Sequence, residues 1–408
     1  MDSLRLLMIS HDNNGVSKTS RAMKIATHLS ENLADCSILV LTDLSIIGKF
    51  RFPQNVDFVH LPGVEYKSRK EFRAKNLNIG SENALRIRRK IVQSTAKTFK
   101  PHYILVEADL NKLSVAEIYK TLRYMKESLP QTKIIWGLPD VLGNPVEVRR
   151  IWTRFKINAA FEKVVDEIWV YGCEEIFDFI KAYRMPSAMS DKLIFTGYIK
   201  SPMLSSRKVS REIARKNFKK PFVLLNAGSG LDAFHLIDSF VRFLEREGEN
   251  IPFHSLIITG PMMLTREKHV LMERISKLSK VSIRRFCKQV LEYMKYADLI
   301  LSTGGYNTLC EIMSYRKKAI VVPNGGAFNE HIARAELFEK NGLIQLLPPR
   351  ELSPERLGEM ITSTISKRKP LSLRKKPIEF PMHGLSTIVE RLKDTNGVKQ
   401  YTLKQAVS

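Results

Sequence analysis

The sequence predicts an α/β fold made of two doubly wound halves, and three observations lead there. Short β-rich apolar runs alternate with helical segments along most of the chain. Two such series are separated by a basic, Ser-rich stretch, SPMLSSRKVSREIARKNFKK, at 201–220. In the second series, two of the runs are followed at once by glycine turns and then by a helical pattern. Alternation of this kind is the mark of a parallel sheet covered by helices on both faces.

Taken in order, the first series comprises LRLLMIS at 4–10, SILVL at 37–41, HYILVE at 102–107, KIIW at 133–136 and EIWVY at 167–171. The opening run leads straight into polar HDNN. It reads as a buried strand, since a span needs about 20 apolar residues. The second series runs FVLLN, HSLIIT, VSIRRF, DLILS and KAIVVP. The predicted division is 1–205 for an N-terminal half, 206–368 for a C-terminal half and 369–408 for a tail. In the tail the alternation stops after KRKP at 367–370, and STIVERLKD at 386–394 forms one last helix.

Composition limits the function classes. The 408 residues are 44% hydrophobic and 26% charged, an ordinary globular balance. Lys and Arg number 66 against 42 Asp and Glu, a net +24 that attracts anions: nucleotide phosphates, nucleic acid or an acidic membrane. Cys36, Cys173, Cys287 and Cys310 are far apart and form no CxxC pair. With no signal-peptide pattern at the start, the expectation is a reducing cytoplasm, without a disulfide framework or a zinc site.

Ligands of open parallel sheets collect at the carboxyl ends of the strands. AGSGLD, Ala227 to Asp232, follows FVLLN there, and TGGYN, Thr303 to Asn307, follows DLILS. Glycine removes the Cβ that would hold a phosphate away from the amides, and unpaired N–H groups of a first helical turn attract its charge. Glu311 falls on the second turn of the following helix, on the face of Asn307 and Thr308. A carboxylate there can accept two hydrogen bonds from a vicinal diol such as a ribose.

The run ADLILSTGGYNTLCEIMSYRKKAIVVP, followed by NEHIARAELFEKNGL, resembles the C-terminal half of glycosyltransferase family 28. WGLPDVLGNPVEVRRIW, DEIWVYGCEEIFDFIKAY, KLIFTGYI, NAGSGLDA and TGP extend the likeness over residues 3 to 360, in the order of one branch of predicted glycosyltransferases in that superfamily. The resemblance implies a GT-B fold: an acceptor half first, a nucleotide-sugar half second, a cleft between them, and a C-terminal helix crossing back. It implies that Gly228, Ser229 and Gly230 cradle a diphosphate with Gly304 and Gly305, and that Glu311 holds the ribose. Phe286 and the backbone of Cys287 match positions that meet the base, commonly uracil, and Glu330 and His331 match positions that meet the sugar. No cofactor is implied.

Three departures stand out. His331 replaces a glutamine, Pro139 replaces an arginine before Asp140, and the acceptor loop reads Gly15, Val16, Ser17, Lys18 where relatives end in histidine. A lysine replaces histidine as a base near neutral pH only if burial lowers its pKa.

Displacing a nucleoside diphosphate from a sugar needs stabilisation of the leaving anion and a base for the attacking hydroxyl. His11 with Asp12, after the first strand, is the first candidate for that base, and Asp109 the second. Glu107-Ala108-Asp109 has the look of an acidic triplet for a divalent ion. The phosphate-type turns lie in the other half, so no metal site is assigned. The expected function is thus an inverting glycosyltransferase using a uridine-type donor and an unknown acceptor, a lipid-linked one being among the candidates. A nucleotide-sugar epimerase or hydrolase on the same frame and a basic binding protein without turnover are the alternatives. The stacking motifs of RNA modules are missing, which argues against nucleic acid. Basic clusters at 66–76, 85–90, 147–156 and 373–376, with an apolar stripe along 85–99, suit reversible attachment to an anionic membrane surface on its inner face.

Overall fold

The computed structural model describes residues 3–12, 15–66, 72–110, 112–201, 221–324, 329–366 and 380–394. The predicted join at 205/206, the KRKP and LRKK clusters and the middle of the 66–76 cluster lie outside the described residues.

In the N-terminal half the strands are β1 (Leu4–Ser10), β2 (Cys36–Thr42), β3 (Val56–His60), a small antiparallel pair β4 (Val64–Tyr66) and β5 (Phe72–Ala74), then β6 (Tyr103–Glu107), β7 (Lys133–Pro139), β8 (Glu167–Tyr171) and β9 (Leu193–Phe195). Seven form one sheet in the order β3-β2-β1-β6-β7-β8-β9, parallel throughout. The C-terminal half adds β10 (Phe222–Asn226), β11 (His254–Ile258), β12 (Val281–Arg284), β13 (Leu299–Ser302), β14 (Ala319–Val321) and β15 (Gln345–Leu346). These form a second parallel sheet in the order β12-β11-β10-β13-β14-β15.

Central strands are buried along their whole length, as in β6 and β10, because helices cover both faces. That is why they are written as unbroken apolar runs. In the first sheet, Leu7, Ile9, Ile104, Val106 and Trp136 face one core, while Leu6, Met8 and Leu105 face the other. Alternate residues of a strand point to opposite faces, so one apolar run serves two layers.

Both strand orders reverse beside their first strand: β1 lies between β2 and β6, and β10 between β11 and β13. A crevice opens at such a reversal, at the carboxyl ends of the strands. Helix Ser17–Asn32 follows β1, helix Phe234–Glu247 follows β10, and helix Tyr306–Ser314 follows β13. All three start at these crevices.

The last described helix, Gly384–Asp394, lies on the first half. Gly384 N–H donates to Tyr198 O (3.1 Å), Arg391 Nη2 donates to Glu167 Oε1 (2.9 Å), and Leu385, Ile388, Val389 and Leu392 join the core around β1 and β2. No described helix is long and apolar enough to cross a membrane.

Candidate active site

The two crevices open into one cavity of about 1270 Å³ between the halves. Its C-terminal wall begins with the turn after β10. Asn226 Oδ1 accepts from Gly228 N–H (3.2 Å), bending the chain through Gly228 at φ +64 so that Ser229 lines the cavity. Gly230 has a different task. Its N–H donates to Ala227 O, and a Cβ on it would stand 2.0 Å from Thr259 O, so it lets two turns lie against each other behind the cavity wall.

A similar division separates the glycines after β13. Gly304, at φ +80, is backed by Val321, whose Cγ1 would lie 2.9 Å from an added Cβ. Gly305 has ordinary φ, lines the cavity and is the N-cap of helix Tyr306–Ser314, with no side-chain cap. The first-turn amides of that helix therefore find no partner inside it and carry the positive end of its dipole. Asn307 and Thr308 line the cavity beside them, Glu311 stands one turn further, and half-exposed Phe286 with buried Cys287 completes this wall.

Glu330 and His331 open helix Glu330–Lys340 over the Gly304–Gly305 turn, with His331 Nε2 3.8 Å from where a Gly305 Cβ would be. Burial lowers the His331 pKa below its ordinary value despite Glu330, so the ring is neutral near pH 7. Burial acts to raise the Glu330 carboxyl, but Arg334, by charge and hydrogen bond, outweighs it and holds it below the usual range.

On the N-terminal side, Asp12 caps helix Ser17–Asn32, its carboxylate taking Lys18 N–H (3.0 Å) and Thr19 N–H (2.6 Å). This brings Gly15, Ser17 and Lys18 to the cavity. Lys18 Nζ lies 2.9 Å from Asp109 Oδ2, whose side chain keeps 45% exposure. Burial would lower the Lys18 pKa, but Asp109 and Asp12 reverse this and hold it above its ordinary value. Lys18 is a fixed cation, the opposite of what a lysine base requires.

His11 stands apart from the cavity. It is 3% exposed, with Nε2 2.9 Å from Arg88 Nη2 and Nδ1 3.8 Å from Glu117. Burial brings its pKa down to about 4 against the attraction of Glu117, with Arg88 and Lys18 adding to the fall. The same Arg88 binds Asp43, which accepts the Asp12 N–H (3.0 Å). His11 thus braces the loop that Asp12 caps, and its expected role as the base is corrected accordingly. Glu107 is likewise consumed: Oε2 takes Arg21 and Oε1 takes the Tyr171 hydroxyl. With Asp109 on Lys18, the acidic triplet offers no shared pair of oxygens to an ion. No group of side chains that could hold a metal is found among the described residues.

The sequence reading missed the contacts that join the halves. Arg334 Nε reaches Asp140 Oδ1 (2.7 Å) and its Nη2 reaches Val141 O (2.8 Å). Tyr306 OH donates to Tyr171 O (2.8 Å), Asn307 Nδ2 donates to Ser17 O (2.8 Å), and Lys24 Nζ meets Glu311 Oε1 (2.8 Å). The partners lie far apart in sequence and several are backbone carbonyls, so nothing local pairs them.

Residues 232–390 match the glycosyltransferase family 28 C-terminal domain, which takes in the β13 turn, Glu311 and the Glu330–His331 pair. This stretch of the chain is similar to family 28 glycosyltransferases. Among curated relatives, the UDP-N-acetylglucosamine–N-acetylmuramyl-(pentapeptide) pyrophosphoryl-undecaprenol N-acetylglucosamine transferase of Clostridioides difficile is 30% identical over 200 residues, 46% of this chain and 46% of that one. The chain thus spans about half the length of the first curated relatives it matches. Its fold is GT-B. Acinetobacter baumannii MurG superposes with a TM-score of 0.57 at 13% identity, covering 96% of this chain and 99% of that one. The UDP-GlcNAc 2-epimerase of Neisseria meningitidis, solved with UDP-GlcNAc, superposes at 0.59 and 13% identity, covering 96% and 100%.

Proposed function

We propose that this chain is an inverting glycosyltransferase of family 28 that moves a sugar from a uridine diphosphate donor to a hydroxyl of a lipid-linked acceptor. One observation carries the reading. Ser229 and the uncapped helix start at Gly305 face one cavity, with Glu311 a turn beyond and Lys18 and Asp109 across from them. Amides at the two turns take the departing diphosphate, and one carboxylate oxygen of Glu311 accepts from the ribose diol. Lys18, held cationic, adds charge stabilisation where the leaving oxygen develops. Asp109 accepts the proton of the attacking hydroxyl, since Asp12 is occupied with capping and His11 is buried elsewhere. Exposed Leu77, Ile79 and Ile87 beside Arg73, Lys75, Arg86 and Lys90 suit contact with an anionic inner membrane face, where such an acceptor resides.

Isothermal titration against UDP, ADP, GDP and dTDP tests the donor side. Selective, Glu311-dependent UDP binding is expected. A full set of nucleoside diphosphates without measurable binding defeats the proposal. Incubation with UDP-sugar alone separates the neighbouring chemistry: prompt epimerisation, or stoichiometric free sugar, would replace the transferase reading by an epimerase or hydrolase.

A further inference from the structure

We infer that Lys24, a residue of the acceptor half, is a positioning residue for the ribose of the donor, acting through Glu311. The inference rests on the reading of Glu311 as the ribose ligand and assigns what holds that ligand in place.

Glu311 sits on helix Tyr306–Ser314 of the donor half, yet its carboxylate is anchored from outside that half. Lys24 Nζ donates to Oε1 at 2.8 Å, and Ser201 Oγ donates to the same oxygen at 3.3 Å. Both side chains of the ion pair keep only 12% exposure. Every contact to the carboxylate among the described residues goes to Oε1, and Glu311 lines the cavity whereas Lys24 and Ser201 do not. The geometry is that of a carboxylate gripped by one oxygen and offered by the other.

A glutamate on a helix has three rotatable side-chain bonds, and ordering it costs entropy at the moment of binding. An anchor already in place removes that cost before the ligand arrives. The neighbouring tie, Asn307 Nδ2 to Ser17 O and Oγ (2.8 and 3.2 Å), holds helix Tyr306–Ser314 against the start of helix Ser17–Asn32, on which Lys24 lies two turns further along. Donor affinity therefore depends on the acceptor half being in place, although Lys24 itself does not line the cavity.

The test compares UDP with 2′-deoxy-UDP, which lacks one hydroxyl of the diol, by titration calorimetry on the full chain. Wild type is expected to prefer UDP by tenfold or more. Lys24→Met should reduce this preference to about threefold or less and raise the donor KM more than it lowers kcat, while Lys24→Arg restores both. In a Glu311→Gln background, Lys24→Met should add little. A Lys24→Met protein that keeps the full preference for UDP, or binds UDP more tightly than wild type, overturns the inference and leaves the proposed function standing. Wild type binding both nucleotides equally removes Glu311 from the ribose and the inference with it. Wild type binding neither removes the proposed function as well. An unchanged melting temperature of Lys24→Met distinguishes lost positioning from lost folding.

Discussion

Asp109 and His11 follow neighbouring strands of one sheet, and their surroundings give them opposite uses. Asp109 keeps 45% of its side chain exposed and lines the cavity. Asp109→Asn is expected to lower kcat by about 10²-fold or more, the scale of general base catalysis, with UDP affinity changed less than about threefold. Steady-state kinetics and calorimetry check the two halves of that statement. His11 is buried as a neutral ring, its pKa brought from 6.5 to about 4. Between these values the unfolded chain binds more protons than the folded one, so stability rises with pH across the window. The contribution is complete above pH 6.5 and falls away toward pH 4, by about 3 kcal/mol in all. Urea unfolding at a series of pH values should show this slope in wild type and a smaller one in His11→Gln. The sequence placed both residues at strand ends but could not tell them apart. What decides is Arg88, 77 positions along the chain from His11.

At the scale of elements, the buried strands were readable, and of the edge strands of the two large sheets only β12 was. β10 begins and ends where its apolar run does, and the last helix lies where its pattern put it, because full burial demands an unbroken run. β3, β9 and β15 escaped notice, and each lies at the edge of its sheet. An edge strand is short and half-covered, so VDFVH and LIF carry polar or partly exposed residues that look like loop. The glycine turns show the same limit. Sequence marks Gly304 and Gly305 alike, whereas the backbone separates them. A side chain at Gly304 meets Val321 at 2.9 Å with φ +80, while one at Gly305 meets nothing closer than 3.8 Å. Gly304→Ala is therefore expected to destabilise by about 1–3 kcal/mol, the cost of a strained position. Gly305→Ala should melt like wild type yet bind UDP at least tenfold more weakly, because its methyl group stands where the phosphate approaches the amides. Thermal melts read beside nucleotide titrations settle the pair. Equal effects of both substitutions on binding would mean that Gly305 does not face the phosphate.

Across the whole molecule, the two halves meet through polar contacts whose partners lie far apart in sequence. Lys24 and Glu311 are separated by 287 positions, and Asp140 and Arg334 by 194. This is why the sequence disclosed two sheets and a cleft but not the closure between them. The Asp140–Arg334 pair is the most deeply buried of these ties, at 1% and 0% side-chain exposure, and it is incompletely satisfied: Asp140 Oδ2 and Arg334 Nη1 have no hydrogen-bond partner. Desolvation makes such a pair a poor source of net stability, but removing one member strands a charge. Arg334→Met is expected to cost about 3–5 kcal/mol, because Asp140 then stays buried with only the Val141 N–H as a donor. Arg334→Met with Asp140→Leu should recover part of that loss, since the fully buried Asp140 charge is gone and only Glu330, 26% exposed, is left without Arg334. If the pair served stability alone, the double variant would also restore activity. The halves are instead expected to lose their fixed approach, so that the double variant folds, binds UDP more weakly as Lys24 leaves Glu311, and transfers sugar at least tenfold more slowly. Denaturant midpoints followed separately in each half, with turnover measured on the same preparations, compare the two outcomes. A double variant with full activity would show that closure does not depend on this contact.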